Sequence, residues 1–127
     1  TALLVTLLGV LQACATGPVA TQVLPTPEPL SPEVNSDILL DTPVRYSWAA
    51  EPGATEYEFH LFDRSNGDIS RYYLRELDPD DICSDGVCAV EVSASLPLMR
   101  SHAWRVRAAN RVGWSGWSRR EFTMVER

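Results

Sequence analysis

Beyond residue 42 the chain is built from short runs in which apolar residues recur at every second position, the period of a strand with one buried face. Val44, Tyr46 and Trp48 fall on one face of such a run, and Tyr57, Phe59 and Leu61 on one face of the next. Four more runs follow, at residues 69–77, 87–92, 102–109 and 119–125. Turn-forming clusters separate them, among them Ala50-Glu51-Pro52-Gly53-Ala54 and Ser65-Asn66-Gly67-Asp68. No stretch carries a helix-length apolar stripe. The pattern predicts an all-β chain folded as an antiparallel β-sandwich of roughly 100 residues and about seven strands. The full length of 127 residues suits one such domain and leaves no room for a second.

The remaining residues precede the sandwich and have a different chemistry. All charged residues lie at or after Glu28, so the first 27 positions are uncharged. Residues 1–13 (TALLVTLLGVLQA) form an apolar run that fits a secretory signal and falls short of the roughly 20 residues of a spanning helix. The run has no Met and no positive flank before it, so the start of the precursor is expected to be missing. Leu11-Gln12-Ala13-Cys14 resembles the bacterial lipoprotein signal, the lipobox, in which the Cys is cleaved free and acylated. That resemblance implies a palmitate-type lipid on Cys14 and membrane attachment, and Ala15 implies the outer membrane over the inner. Cysteine counting agrees: Cys83 and Cys88 can pair in an exported protein, which leaves Cys14 for the lipid. Residues 15–32 contain Pro18, Pro25, Pro27, Pro29 and Pro32, a composition that stiffens a chain toward polyproline II. The expected organisation is therefore a signal at 1–13, a lipidated Cys and Pro-rich tether at 14–30, and the sandwich at 31–127.

Within the sandwich, Trp48, Pro52-Gly53-Ala54, Tyr57, the run Trp104-Arg105-Val106-Arg107-Ala108-Ala109-Asn110 and the final Trp114 to Ser118 resemble a fibronectin type III domain, an immunoglobulin-like fold. The resemblance covers about residues 31–125 and implies a core filled by Trp48, Trp104, Val106 and Ala108. That family opens its sixth strand with a Tyr six residues after a Leu; here Leu96 is followed by His102, whose ring is expected to tie down the same corner. Trp114-Ser115-Gly116-Trp117-Ser118 is similar to the WSxWS box of cytokine receptors. Alternation sends Arg105 and Arg107 to the outer face, where their guanidinium groups are expected to stack with Trp114 and Trp117 as a structural cation–π ladder.

Composition narrows function further. The chain is acidic, with net charge −6, and its 11 basic residues, all Arg, form no run longer than Arg119-Arg120, so nucleic acid is not an expected partner. Asp78, Asp80, Asp81 and Asp85 make an oxygen-rich loop, a weak calcium candidate whose spacing is not that of an EF-hand; no metal or cofactor is expected. There is no nucleophile elbow, phosphate-cradling loop or zinc-protease motif, so no enzyme is expected. Cys83 and Cys88 flank the turn dipeptide Asp85-Gly86, which suits a structural disulfide. Tyr72 and Tyr73 are adjacent on one run and must point to opposite faces, so one of them is expected at the surface, offering a binding patch near Arg105 and Arg107. The expectation is a lipid-anchored envelope protein whose domain is a non-catalytic module for a protein or polysaccharide. A structural spacer, or an accessory domain of a larger enzyme, stay open beside it.

Overall fold

The computed structural model describes residues 21–39, 43–64, 68–93, 96–97 and 99–125. The signal, Cys14, the first part of the tether and Ser65-Asn66-Gly67 lie outside the described residues. Nine strands and one short helix follow in chain order: β1 (Pro29–Ser31), β2 (Ser36–Leu39), β3 (Val44–Ala49), β4 (Glu56–Asp63), β5 (Ile69–Leu77), α1 (Pro79–Ile82), β6 (Cys83–Ser84), β7 (Val87–Val92), β8 (Ser101–Ala109) and β9 (Ser118–Val125). Six of these strands are the six runs expected from alternation. They form two sheets, of order β1-β3-β7-β6 and β2-β9-β8-β4-β5. All pairs are antiparallel except β2 with β9, which is parallel. The chain is an immunoglobulin-like two-layer β-sandwich whose first two strands, β1 and β2, lie in different sheets.

The core sits between the sheets and is aromatic. Tyr46 and Trp48 on β3 meet Tyr57 and Phe59 on β4, Trp104 on β8 and Phe122 on β9, with ring centroids 4.9 to 6.5 Å apart. Trp48, Trp104, Val106 and Ala108 are fully buried, as the resemblance implies. Rings in such tilted contacts add roughly 0.5–1.5 kcal/mol per pair to the burial of their large apolar surfaces. The Tyr46 hydroxyl has no hydrogen-bond partner among the described residues, and burial raises its pKa far above the usual phenol value. The Tyr57 hydroxyl instead accepts from the Glu51 backbone N–H at 2.9 Å and so ties the β3–β4 turn to the core. Gly53 in that turn has φ +89°, a conformation L side chains rarely adopt.

Two further features fix the corners. His102, fully buried at the start of β8, bonds through Nε2 to the Pro97 carbonyl at 2.9 Å, so the imidazole closes the corner expected of it. Asp63, at the end of β4, is also fully buried and is held by Arg71 at 3.1 Å and Arg100 at 3.4 Å.

The expected boundary at residue 31 needs correction, because part of the supposed tether belongs to the sandwich. Leu24 packs against the core, Pro27 is fully buried, and residues 29–31 are the strand β1. The Ala49 N–H donates to the Glu28 carbonyl at 2.8 Å. From β9, the Arg120 guanidinium donates to the carbonyls of Pro29, Leu30 and Pro32 at 2.7, 3.1 and 3.2 Å. Proline spacing signalled an extended backbone correctly. What it could not signal is that this extended backbone pairs as an edge strand, a place proline tolerates.

Candidate functional site

The outward face of the five-stranded sheet is where the chain places its unusual chemistry. Trp104, Val106 and Ala108 face the core, so alternation turns Arg105 and Arg107 outward on β8. Register then decides their neighbours: Arg105 lies between His60 on β4 and Arg119 on β9, and Arg107 lies beside Glu58. The loop before β9 folds back so that Trp114 bridges to Ala109 and both Trp rings reach the arginines. The Arg107 guanidinium stands 4.3 Å from the Trp114 ring centre and 4.6 Å from that of Trp117, and Arg105 stands 4.2 Å from Trp117. The four residues expected to form a ladder are thus brought together. Ser115, buried between the two Trp residues, accepts from the Ala108 N–H at 3.0 Å, while its own N–H donates to the Ala108 carbonyl, which clamps the box to β8.

The ladder is longer than the sequence suggested. Phe62 on β4 continues it, with Arg105 at 5.8 Å and Arg119 at 4.9 Å from its ring centre. Arg107 donates from Nε and a terminal nitrogen to one oxygen of Glu58, whose other oxygen accepts from the Tyr73 hydroxyl at 3.0 Å. Glu58 is only 6% exposed, a carboxylate covered by its own partners. Tyr73 in turn stacks on His60 at 4.8 Å and carries Arg75 4.7 Å from its ring centre. His60 Nδ1 accepts from Arg105 Nε at 3.3 Å, and its Nε2 bonds to the Ser70 hydroxyl. Burial first, and the Arg105 charge second, lower the His60 pKa, so the neutral ring is favoured. His60, Phe62, Asp68, Arg105 and Arg119 line a shallow cleft of about 180 Å³ on this face.

Tyr72 and Tyr73 do point to opposite faces, but both are exposed, at 43% and 38%. The reason is that β5 is the edge of its sheet and is open along most of its length. Tyr73 joins the outward face and Tyr72 does not. Arg119, Phe62 and Arg75 were not singled out in the sequence. Alternation from Phe122 and Met124 puts Arg119 on the outer face, but only the strand order puts it next to Arg105.

Elsewhere the arrangement is structural. Cys83 and Cys88 are cross-strand partners on β6 and β7 and form a disulfide. Asp85 and Gly86 between them have φ of 53° and 81°, the left-handed pair of a two-residue hairpin turn. Asp78 caps α1 by accepting from the Asp80 N–H at 2.9 Å. Among the described residues no three of His, Cys, Asp and Glu are grouped as metal ligands, so Asp78, Asp80, Asp81 and Asp85 are not assembled as a calcium site. Among those residues, too, no helix is long and apolar enough to cross a membrane.

No family model matches the sequence, and no curated protein matches it. Solved structures do match by fold. CopC from Methylosinus trichosporium OB3b superposes with a TM-score of 0.54 at 12% identity, over 79% of this chain and 94% of that one. The twitchin kinase region of C. elegans gives 0.47 at 16% identity over 84% of this chain and 17% of that one, and the protein designated FN3tt mut gives 0.44 at 14% over 84% and 100%. The likeness to CopC is one of fold: a β-sandwich of the size and layering described above.

Proposed function

We propose that this chain is a lipid-anchored bacterial envelope protein whose sandwich is a non-catalytic interaction module, working through the outward face of its five-stranded sheet. The observation that carries the reading is the continuity of that face: an Arg–aromatic array runs from Trp114 across β8 and β4 to Tyr73 and ends on the open edge strand β5. Within the array Glu58 is held by Arg107 and Tyr73, and His60 by Arg105 and Ser70. The lipobox resemblance at Leu11 to Cys14 supports the anchor. Gln22 already accepts from the Asn110 side chain at 2.9 Å. It lies 8 positions after Cys14, a reach of at most roughly 29 Å. A lipid on Cys14 therefore keeps the Asn110–Trp114 end close to the membrane surface, which an outer-membrane lipoprotein facing an envelope protein or polysaccharide can use.

Two measurements test this. The precursor expressed in a Gram-negative host is expected to incorporate labelled palmitate and to fractionate with membranes, and Cys14→Ser to do neither. A photo-crosslinking residue at position 73, on the outward face, is expected to form adducts in intact cells, while one at Arg45, exposed on the opposite sheet, is not. An unlabelled wild type removes the anchor. Absence of adducts from position 73 favours the structural spacer.

A further inference from the structure

Arg105 and Arg119 are direct cross-strand partners on β8 and β9, on an exposed sheet face of a protein with net charge −6. Like charges placed opposite each other destabilise a sheet unless something compensates them. Compensation from within is absent: among the described residues, neither guanidinium meets a carboxylate. Glu121 on β9 pairs with Arg64, and Asp68, which lines the cleft, lies 3.7 Å from the Arg64 Nε. Arg75, on the same face beyond Tyr73, pairs with no carboxylate among the described residues either.

Their stacking leaves the arginines in a particular state. The Phe62 ring centre lies 4.9 Å from the Arg119 guanidinium carbon and 5.8 Å from that of Arg105, and the Trp117 ring centre 4.2 Å from Arg105, so these cations meet rings, which offer no lone pair to their N–H donors. Arg105 spends one donor, Nε, on His60. The His60 ring, neutral and acceptor toward Arg105, adds no competing charge. Two guanidiniums, cross-strand partners near one phenyl ring and lining one cleft of about 180 Å³, suit a carboxylate, whose two oxygens can each accept a donor.

We infer that the Arg105–Arg119 cleft receives carboxylate groups from an acidic segment of a partner protein. This rests on the reading of the outward face as an interaction surface, and it names the chemistry of that face. A polysaccharide is the weaker occupant, because Phe62, Trp114, Trp117 and Tyr73 each already carry a cation against the ring, whereas sugars bind by stacking on open aromatic faces. A peptide needs no open ring. It can place carboxylates on Arg105, Arg119 and Arg75 and run toward the unpaired backbone of β5.

Titration calorimetry of the full chain in non-ionic detergent, with hexaglutamate as probe, tests the assignment. Saturable binding that weakens with added salt is expected, together with a loss of about tenfold or more for Arg119→Gln, the effect of one charge-assisted hydrogen bond. Arg105→Lys is expected to lose affinity as well, since it keeps the charge and removes the planar fork. Arg45→Gln, on the other sheet, is expected to change nothing, and a thermal melt checks that each variant is folded. Three results each overturn the inference: no saturable binding, equal weakening by Arg45→Gln and Arg119→Gln, or inorganic phosphate or trigalacturonate binding as tightly as the peptide. A face that crosslinks in cells at position 73 but ignores hexaglutamate sinks the carboxylate assignment and leaves the interaction module standing.

Discussion

At the scale of single residues, the outer ladder and the aromatic core use similar side chains for different ends. Trp48 and Trp104 are sealed between the sheets, whereas Trp114 and Trp117 are half-buried and work through their faces. Trp114→Ala removes partial burial and the Arg107 stack, and is expected to lower unfolding free energy by about 2 to 3 kcal/mol, below the roughly 3–5 kcal/mol of a sealed Trp. Urea denaturation followed by Trp fluorescence measures it; an unmoved midpoint would show that the ring is held by nothing and would remove the structural ladder. His60 makes a pH-dependent contribution whose sign follows from its environment. Its folded pKa lies below the ordinary 6.5, through burial and then through Arg105, so the unfolded chain takes up the proton more readily. The stabilising effect is complete above that ordinary value and is lost as pH falls through the folded one. Between neutral pH and about pH 5 the wild-type midpoint is expected to fall further than that of His60→Gln, which has no such proton to bind. Equal falls in the two proteins would contradict the assignment.

Elements reveal where local signals are sufficient and where they are not. The β6–β7 hairpin is spelled out locally: Asp85-Gly86 adopts positive φ at both turn positions, and the flanking Cys pair lands in register. The chain-entropy contribution of that disulfide is about 2 kcal/mol at most, since the turn already holds the strands together. β1 is the opposite case. Three residues with a proline at the start have little strand propensity, and they pair because Arg120 binds the carbonyls around them and Leu24 and Pro27 cover the core. Removing residues 1–20 is therefore expected to leave stability unchanged. Removing residues 1–30 is expected to lower it by about 2 to 4 kcal/mol, from the exposed core and the lost main-chain bonds. Comparing the urea midpoints of the two truncated chains checks this, and equal midpoints would return the domain boundary to residue 31.

For the whole molecule, one buried face per strand, repeated six times, was enough to determine a two-layer β-sandwich, because each run must hide Val44, Tyr46 and Trp48 or their equivalents against another sheet. The same alternation determined which residues face outward, so Arg105, Arg107 and His60 were legible as surface groups from the chain alone. The Trp114 to Ser118 string and the Cys83–Cys88 pair were legible for a similar reason, since their partners lie close in sequence or on the next strand. Tertiary structure decided the rest. It set Arg119 beside Arg105, put Phe62 beneath both, gave Glu58 to Arg107 and Tyr73, and turned β5 into an open edge with two exposed tyrosines. It also drew residues 22–31 out of the tether and into the fold. Periodicity reports which way a side chain points, a property of its own backbone; which charge it meets there depends on strand order and register, which are chosen by the packing of all the faces at once.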